Sequence, residues 1–180
     1  MSNNFRDLIP PPDHPRIAGI SERDAYSHVA HAVATRPRVQ TLLAERRARI
    51  NEPFRGITTD GDVVPDLYAL ADEDAPTAAM VAAARNVLNI AAAEEHAKLR
   101  FAIDAPQWRM WSNPELYFDR FGLRLDEQRE PMRDAILAVM QASLSPKGYA
   151  RARGAMLTNA FLGELVNAPR VMNEYSYNFT

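Results

Sequence analysis

Residues 126–169, DEQREPMRDAILAVMQASLSPKGYARARGAMLTNAFLGELVNAP, read as two successive amphipathic helices. Met132, Ile136, Leu137, Val139 and Met140 recur at helical spacing and give the first helix one apolar side. Asp126 is its expected N-cap, and it runs to about Ser143. Ser145-Pro146 opens the second helix. A serine hydroxyl accepts from a first-turn amide, and the fixed φ of proline suits the first helical position. Met156, Leu157, Ala160, Phe161 and Leu165 form the apolar stripe, and Pro169 closes it.

The same punctuation recurs upstream. Ser21 is an expected cap, with Glu22 and Asp24 in a first turn that favours negative charge. Ala25, Val29, Ala32 and Val33 keep helical spacing to about Thr35. Pro37 breaks this helix or starts the next, where Val39, Leu42, Leu43 and Ile50 are apolar and Arg46, Arg47 and Arg49 form a solvated face. Pro76 stands at an expected N1 position ahead of Met80, Ala84, Val87, Leu88 and Ala91, and a further helical piece covers Ala92–Lys98. Extended segments are fewer. Ile57–Val64 is a hairpin signal turning at Asp60-Gly61, Leu99–Ile103 alternates, and Tyr175, Tyr177 and Phe179 occupy every second position of Glu174–Thr180. The expected fold class is α+β, predominantly α-helical, with a small β-sheet of hairpin 57–64, strand 99–103 and C-terminal strand 174–180. Residues 1–20, rich in proline, read as an extended arm that Phe5, Leu8, Ile9 and Ile17 can pin down; residues 21–180 read as a single mainly helical domain.

Composition narrows the function classes. Without cysteine there are no disulfides, thiolate metal sites or cysteine nucleophiles. A net charge of -2 and a basic run at Arg46–Arg49 without interleaved aromatics predict no nucleic-acid partner. No apolar run approaches the roughly 20 residues of a membrane span, and the N-terminus has no signal-peptide core, so the expected location is cytoplasmic.

Large aromatics and hydrogen-bonding groups concentrate at Gln107–Phe121, QWRMWSNPELYFDRF, which holds both tryptophans. On one reading Trp108 and Trp111 fill core volume, while Arg109 and Asn113 satisfy loop carbonyls. On the other the indoles wall a pocket in which Arg109 and Asn113 orient a small polar or carboxylate ligand. Arg55, beside Gly56, is the residue expected to clamp a carboxylate together with Arg109. The candidate ligand-binding set is therefore Arg55, Trp108, Arg109, Trp111 and Asn113. Asp24, His28 and His31 share a helical face and are weak candidates for a metal, an exposed polar face being the other reading. Glu95 and His96 are adjacent and point apart on a helix, and His14 has no evident partner. No phosphate loop, nucleophile elbow or dense carboxylate motif occurs, so neither a catalytic residue nor a cofactor is assigned.

An ordered set of short pieces carries a family resemblance. Phe54-Arg55-Gly56-Ile57-Thr58-Thr59-Asp60-Gly61, Trp108-Arg109 with Trp111-Ser112-Asn113, Gly122-Leu123-Arg124-Leu125, and Ser143-Leu144-Ser145 with Gly148-Tyr149 together resemble DUF3500, an uncharacterised bacterial and fungal family, over about residues 54–179. The resemblance implies a longer protein, with a second half rich in Pro, Gly and Trp that carries a Gly-His-His motif. On that basis the chain is expected to be the N-terminal part of a small-molecule enzyme-like protein, inactive alone or needing a complementing chain. The alternative is a non-catalytic helical binding or assembly module that uses the proline arm and the terminal strand to assemble with itself, as a homo-oligomer, or with a partner.

Overall fold

Asp24, rather than Ser21, caps the first helix, α1 (Ala25–Thr35). In the computed structural model, which describes residues 4, 9–11, 13–15, 17–52, 65, 71–102, 105–113 and 115–180, the Ser27 amide donates to Asp24 Oδ1 at 2.8 Å and the Asp24 amide to Ser27 Oγ at 3.0 Å. This reciprocal box satisfies two helix-end donors at once, and Ser21 is left in a short 3₁₀ turn, Ile20–Glu22. α1 ends because Pro37 disfavours helical backbone in Arg36, which is extended. Pro37 then opens α2 (Pro37–Ile50). Val29, Ala32 and Leu116 form the core of this corner, with Val33, Val39 and Phe118 packed around it.

The larger core lies between α3 (Thr77–Ile90) and α5 (Glu130–Ser143), with contributions from α4 (Ala93–Leu99) and α6 (Pro146–Leu165). Val87, Leu99, Leu123, Leu125, Met132, Ala135, Ile136 and Met156 make up this core. α5 starts later than Asp126 because Leu125–Glu127 winds into a 3₁₀ turn and the Asp126 carboxylate is engaged by Arg124. Pro76 stands one residue outside α3, at the cap position. α6 begins where expected, the Gly148 amide donating to Ser145 Oγ at 3.1 Å. It stops at a left-handed Asn167 (φ 52°), and the Ala168 amide returns to the Gly163 carbonyl at 2.7 Å.

A small sheet completes a predominantly helical fold, but its strands are not all the expected ones. β1 (Leu123–Arg124) pairs antiparallel with β2 (Asn178–Phe179), Leu123 opposite Phe179 and Arg124 opposite Asn178. Leu99 belongs to α4, and Arg100–Ala102 form no strand: the helix carries Leu99 into the core, which overrides the short alternation. The hairpin 57–64 lies outside the described residues. The C-terminal strand is shorter than 174–180 because Asn173 Oδ1 accepts the Tyr175 amide and turns the chain there. Beyond the ladder, the Leu125 amide donates to Tyr177 O and the Asp126 amide to Tyr175 O, each at 2.9 Å. Gly122 (φ 76°) lies so close to the Phe179 carbonyl that an added Cβ would stand 2.7 Å from its oxygen. Ile17 packs beside Ile20, Ala168 and Val171. Among the described residues no helix is long and apolar enough to cross a membrane.

Candidate functional site

Pro106–Arg109 forms one 3₁₀ turn, and its end presents the aromatic cluster. The Trp108 indole N–H donates to Ala102 O at 2.8 Å, which holds the ring at the surface, 55% exposed. Trp111 is more open still, at 76%. Neither indole plugs a core. The chain after Trp108 is held against α2 by arginines. Arg46 donates to Trp111 O at 3.1 Å and to Asp119 Oδ2 at 2.7 Å, and Arg109 donates to Glu52 O.

This clamp leaves a cleft of about 470 Å³, within the usual range for small-molecule sites. Leu42, Glu45, Arg46, Arg49 and Ile50 wall it on the α2 side, with Arg109, Trp111, Ser112 and Asn113 facing them. Three of the five expected ligand-binding residues, Arg109, Trp111 and Asn113, thus come together. Trp108 stands outside the cleft lining, its N–H already used, and Arg55 lies outside the described residues. Arg46 and Arg49 are additions that the solvated-face reading passed over. The signal was available, since residues 42, 45, 46, 49 and 50 share one helical face. Arg46 is engaged by protein groups, whereas the Arg49 guanidinium has no hydrogen-bonded or ion-paired partner among the described residues.

On its other side the Trp111–Asn113 segment borders a second cleft, of about 400 Å³, with Glu115, Tyr117 and Arg124 among its walls. Arg124 is 6% exposed and grips Asp126 through two hydrogen bonds, at 2.7 and 2.8 Å. Its guanidinium lies over the Tyr117 ring, 5.5 Å from the centroid.

Behind Glu115 sits His28, 1% exposed, with neither ring nitrogen hydrogen-bonded. Its Nε2 is 3.8 Å from Glu115 Oε1, which is an electrostatic contact longer than a hydrogen bond. The facing imidazole is the main cause that holds the Glu115 carboxyl below its ordinary 4.5, against the opposing effect of burial. A carboxylate whose folded pKa is depressed adds stability above its unfolded pKa and loses it as pH falls through the folded value. Glu115→Gln is therefore expected to flatten the loss of thermal stability below pH 4.5. An acid titration of the melting temperature, with wild type and variant superimposing throughout, would dismiss this contact.

Asp24, His28 and His31 do not converge. Asp24 is occupied as a cap, His28 faces Glu115, and no three His, Asp or Glu side chains among the described residues are placed to share a metal ion.

A family model described as "Protein of unknown function (DUF3500)" matches residues 73–180. The chain belongs to that family. No curated protein and no solved structure matches it. The DUF3500 match contains the pieces at Trp108–Asn113, Gly122–Leu125 and Ser143–Tyr149, and starts after the piece at Phe54–Gly61. The arginine cleft therefore has two origins. Arg109, Trp111 and Asn113 lie within the DUF3500 region, while Arg46 and Arg49 come from the helix that precedes it.

Proposed function

We propose that this chain binds a small polar ligand bearing a carboxylate in the cleft between α2 and Trp111–Asn113, as the N-terminal part of a small-molecule enzyme-like protein. The convergence of Arg46, Arg49 and Arg109 with Trp111 and Asn113 carries this reading. Arg46 is the structural member, already holding Asp119 and the Trp111 carbonyl. Arg49 supplies an uncommitted planar fork suited to two carboxylate oxygens. Arg109 keeps part of its guanidinium free beside the Glu52 carbonyl. The Trp111 face gives an apolar wall, and the Ser112 hydroxyl and Asn113 amide have no intramolecular partner among the described residues. Among the described lining residues Glu45 is the single acid against three arginines, so the cleft favours anions.

Among the described lining residues no hydroxyl is hydrogen-bonded to a base. On this reading the reacting groups come from a complementing chain or segment seated over Trp108 and Trp111, and the protein works in the cytoplasm without a nucleic-acid or membrane partner. Calorimetric titration with a panel of small mono- and dicarboxylates tests the binding step. One of them is expected to bind, and Arg49→Ala and Arg109→Ala are each expected to weaken it about tenfold, near 1.4 kcal/mol, the melting temperature staying unchanged in Arg49→Ala, whose guanidinium holds no other part of the chain among the described residues. Absence of binding across the panel, or affinity that ignores both substitutions, would sink the proposal. The assembly reading is favoured by a different observation, the outer side of α6.

A further inference from the structure

α6 is 20 residues long and buries only Met156 and Gly163. Its outward side carries Leu157, Phe161 and Leu165 at successive i, i+4 steps, exposed by 55, 56 and 37%. A contiguous apolar row of this kind marks an interaction surface more often than a solvated one. Earlier on the same side stand Ala150 and Gly154, both exposed, and a Cβ added at Gly154 would meet nothing within 4 Å. The surface is therefore bulky toward the C-terminal end of the helix and hollow toward its N-terminal end.

The partner that fits has the opposite gradient, and a second α6 running antiparallel has it. About a twofold axis at the Leu157–Thr158 midpoint, Ala150 falls level with Leu165 of the other copy, Gly154 with Phe161, and Leu157 with Thr158. Close approach at a glycine lets an aromatic side chain seat against backbone. The charges follow the same gradient. Glu164, the single acid of α6, comes level with the turn that carries Arg151 and Arg153 in the other copy. Arg153 is the one on the flank that Glu164 occupies, and it also pairs with Glu174 of its own chain. A parallel pairing would instead set Phe161 against Phe161, Gly154 against Gly154 and Glu164 against Glu164, which combines crowding, a gap and repulsion.

We propose that two copies of this chain associate through α6, packed antiparallel about its Leu157–Thr158 midpoint. Light scattering coupled to size exclusion, run over a concentration series on the full chain, is expected to show a mass rising from 20.2 kDa to twice that value. Phe161→Glu puts a charge opposite the Gly154 hollow and is expected to weaken association at least tenfold. Gly154→Leu fills the hollow itself while improving helix propensity, so it tests the same interface without risk to the fold, and it is expected to give the monomer mass. A wild-type monomer at every concentration overturns the proposal, even if another protein occupies this surface. A dimer that survives both substitutions overturns it equally.

Discussion

Arg124→Ala is expected to lower stability by about 3 kcal/mol, because it strips one partner from a pair that is shielded from water. Arg124 is 6% exposed and its partner Asp126 only 18%. The two meet through the bidentate geometry that a lysine cannot reproduce. Asp126 also accepts from Asn173 Nδ2 at 2.8 Å, and Asn173 in turn orients the Tyr175 amide and accepts the Asn159 side chain. Removing Arg124 leaves a carboxylate with a hydrogen bond but no cation, at the root of the turn that delivers β2. The loss corresponds to a melting point about 6–12 °C lower for a domain of this size. A double-mutant cycle with Asp126→Ala separates the pair from the rest. A single-variant loss under about 1 kcal/mol would show that the pair is solvated in practice.

Gly163→Ala should lose about 2 kcal/mol, against the usual gain from replacing a helical glycine. Alanine is the better helix former by about 1 kcal/mol, and on an open face the substitution would stabilise. Here the new Cβ would stand 1.9 Å from the Met172 carbonyl oxygen and 2.9 Å from its carbon. The obstacle is main chain, tied down by the Met172 amide to Ala168 O at 3.0 Å and by Arg124 on the neighbouring Val171 carbonyl. Overpacking of that kind outweighs the propensity term. Urea denaturation is the measurement, and a variant as stable as wild type would mean that the 168–172 turn gives way freely. Both substitutions act on one segment, so their losses should combine non-additively.

The helices were legible because proline and cap residues mark their ends and because apolar residues repeat along them. Pro37 and Ser145-Pro146 act locally, so each could be read without knowing the fold, whereas α6 stops at Leu165, ahead of Pro169, where Asn167 turns left-handed. Asp126 misled for a tertiary reason. Its carboxylate is a cap in isolation, yet a buried arginine two residues earlier takes it, and α5 starts at Glu130. Leu99–Ile103 misled because a run this short carries either periodicity, and burial in the core shared with Val87 and Met132 favoured the helix at Leu99. Within the aromatic cluster, the sequence placed Arg109, Trp111 and Asn113 near each other by adjacency alone. That α2 supplies the facing wall depends on how Arg46 reaches across to the Trp111 carbonyl. No local pattern encodes that contact.

The pairing of Leu123 with Phe179 bears on the order of events as the chain is made. α5 and α6 stand between the two strands in sequence, so during synthesis both helices leave the ribosome before Leu123 and Arg124 can find their partner. Until then the Leu125 and Asp126 amides, and the hollow at Gly122, face water. The slowest step of folding should therefore be the closing of this distant contact rather than the winding of any helix.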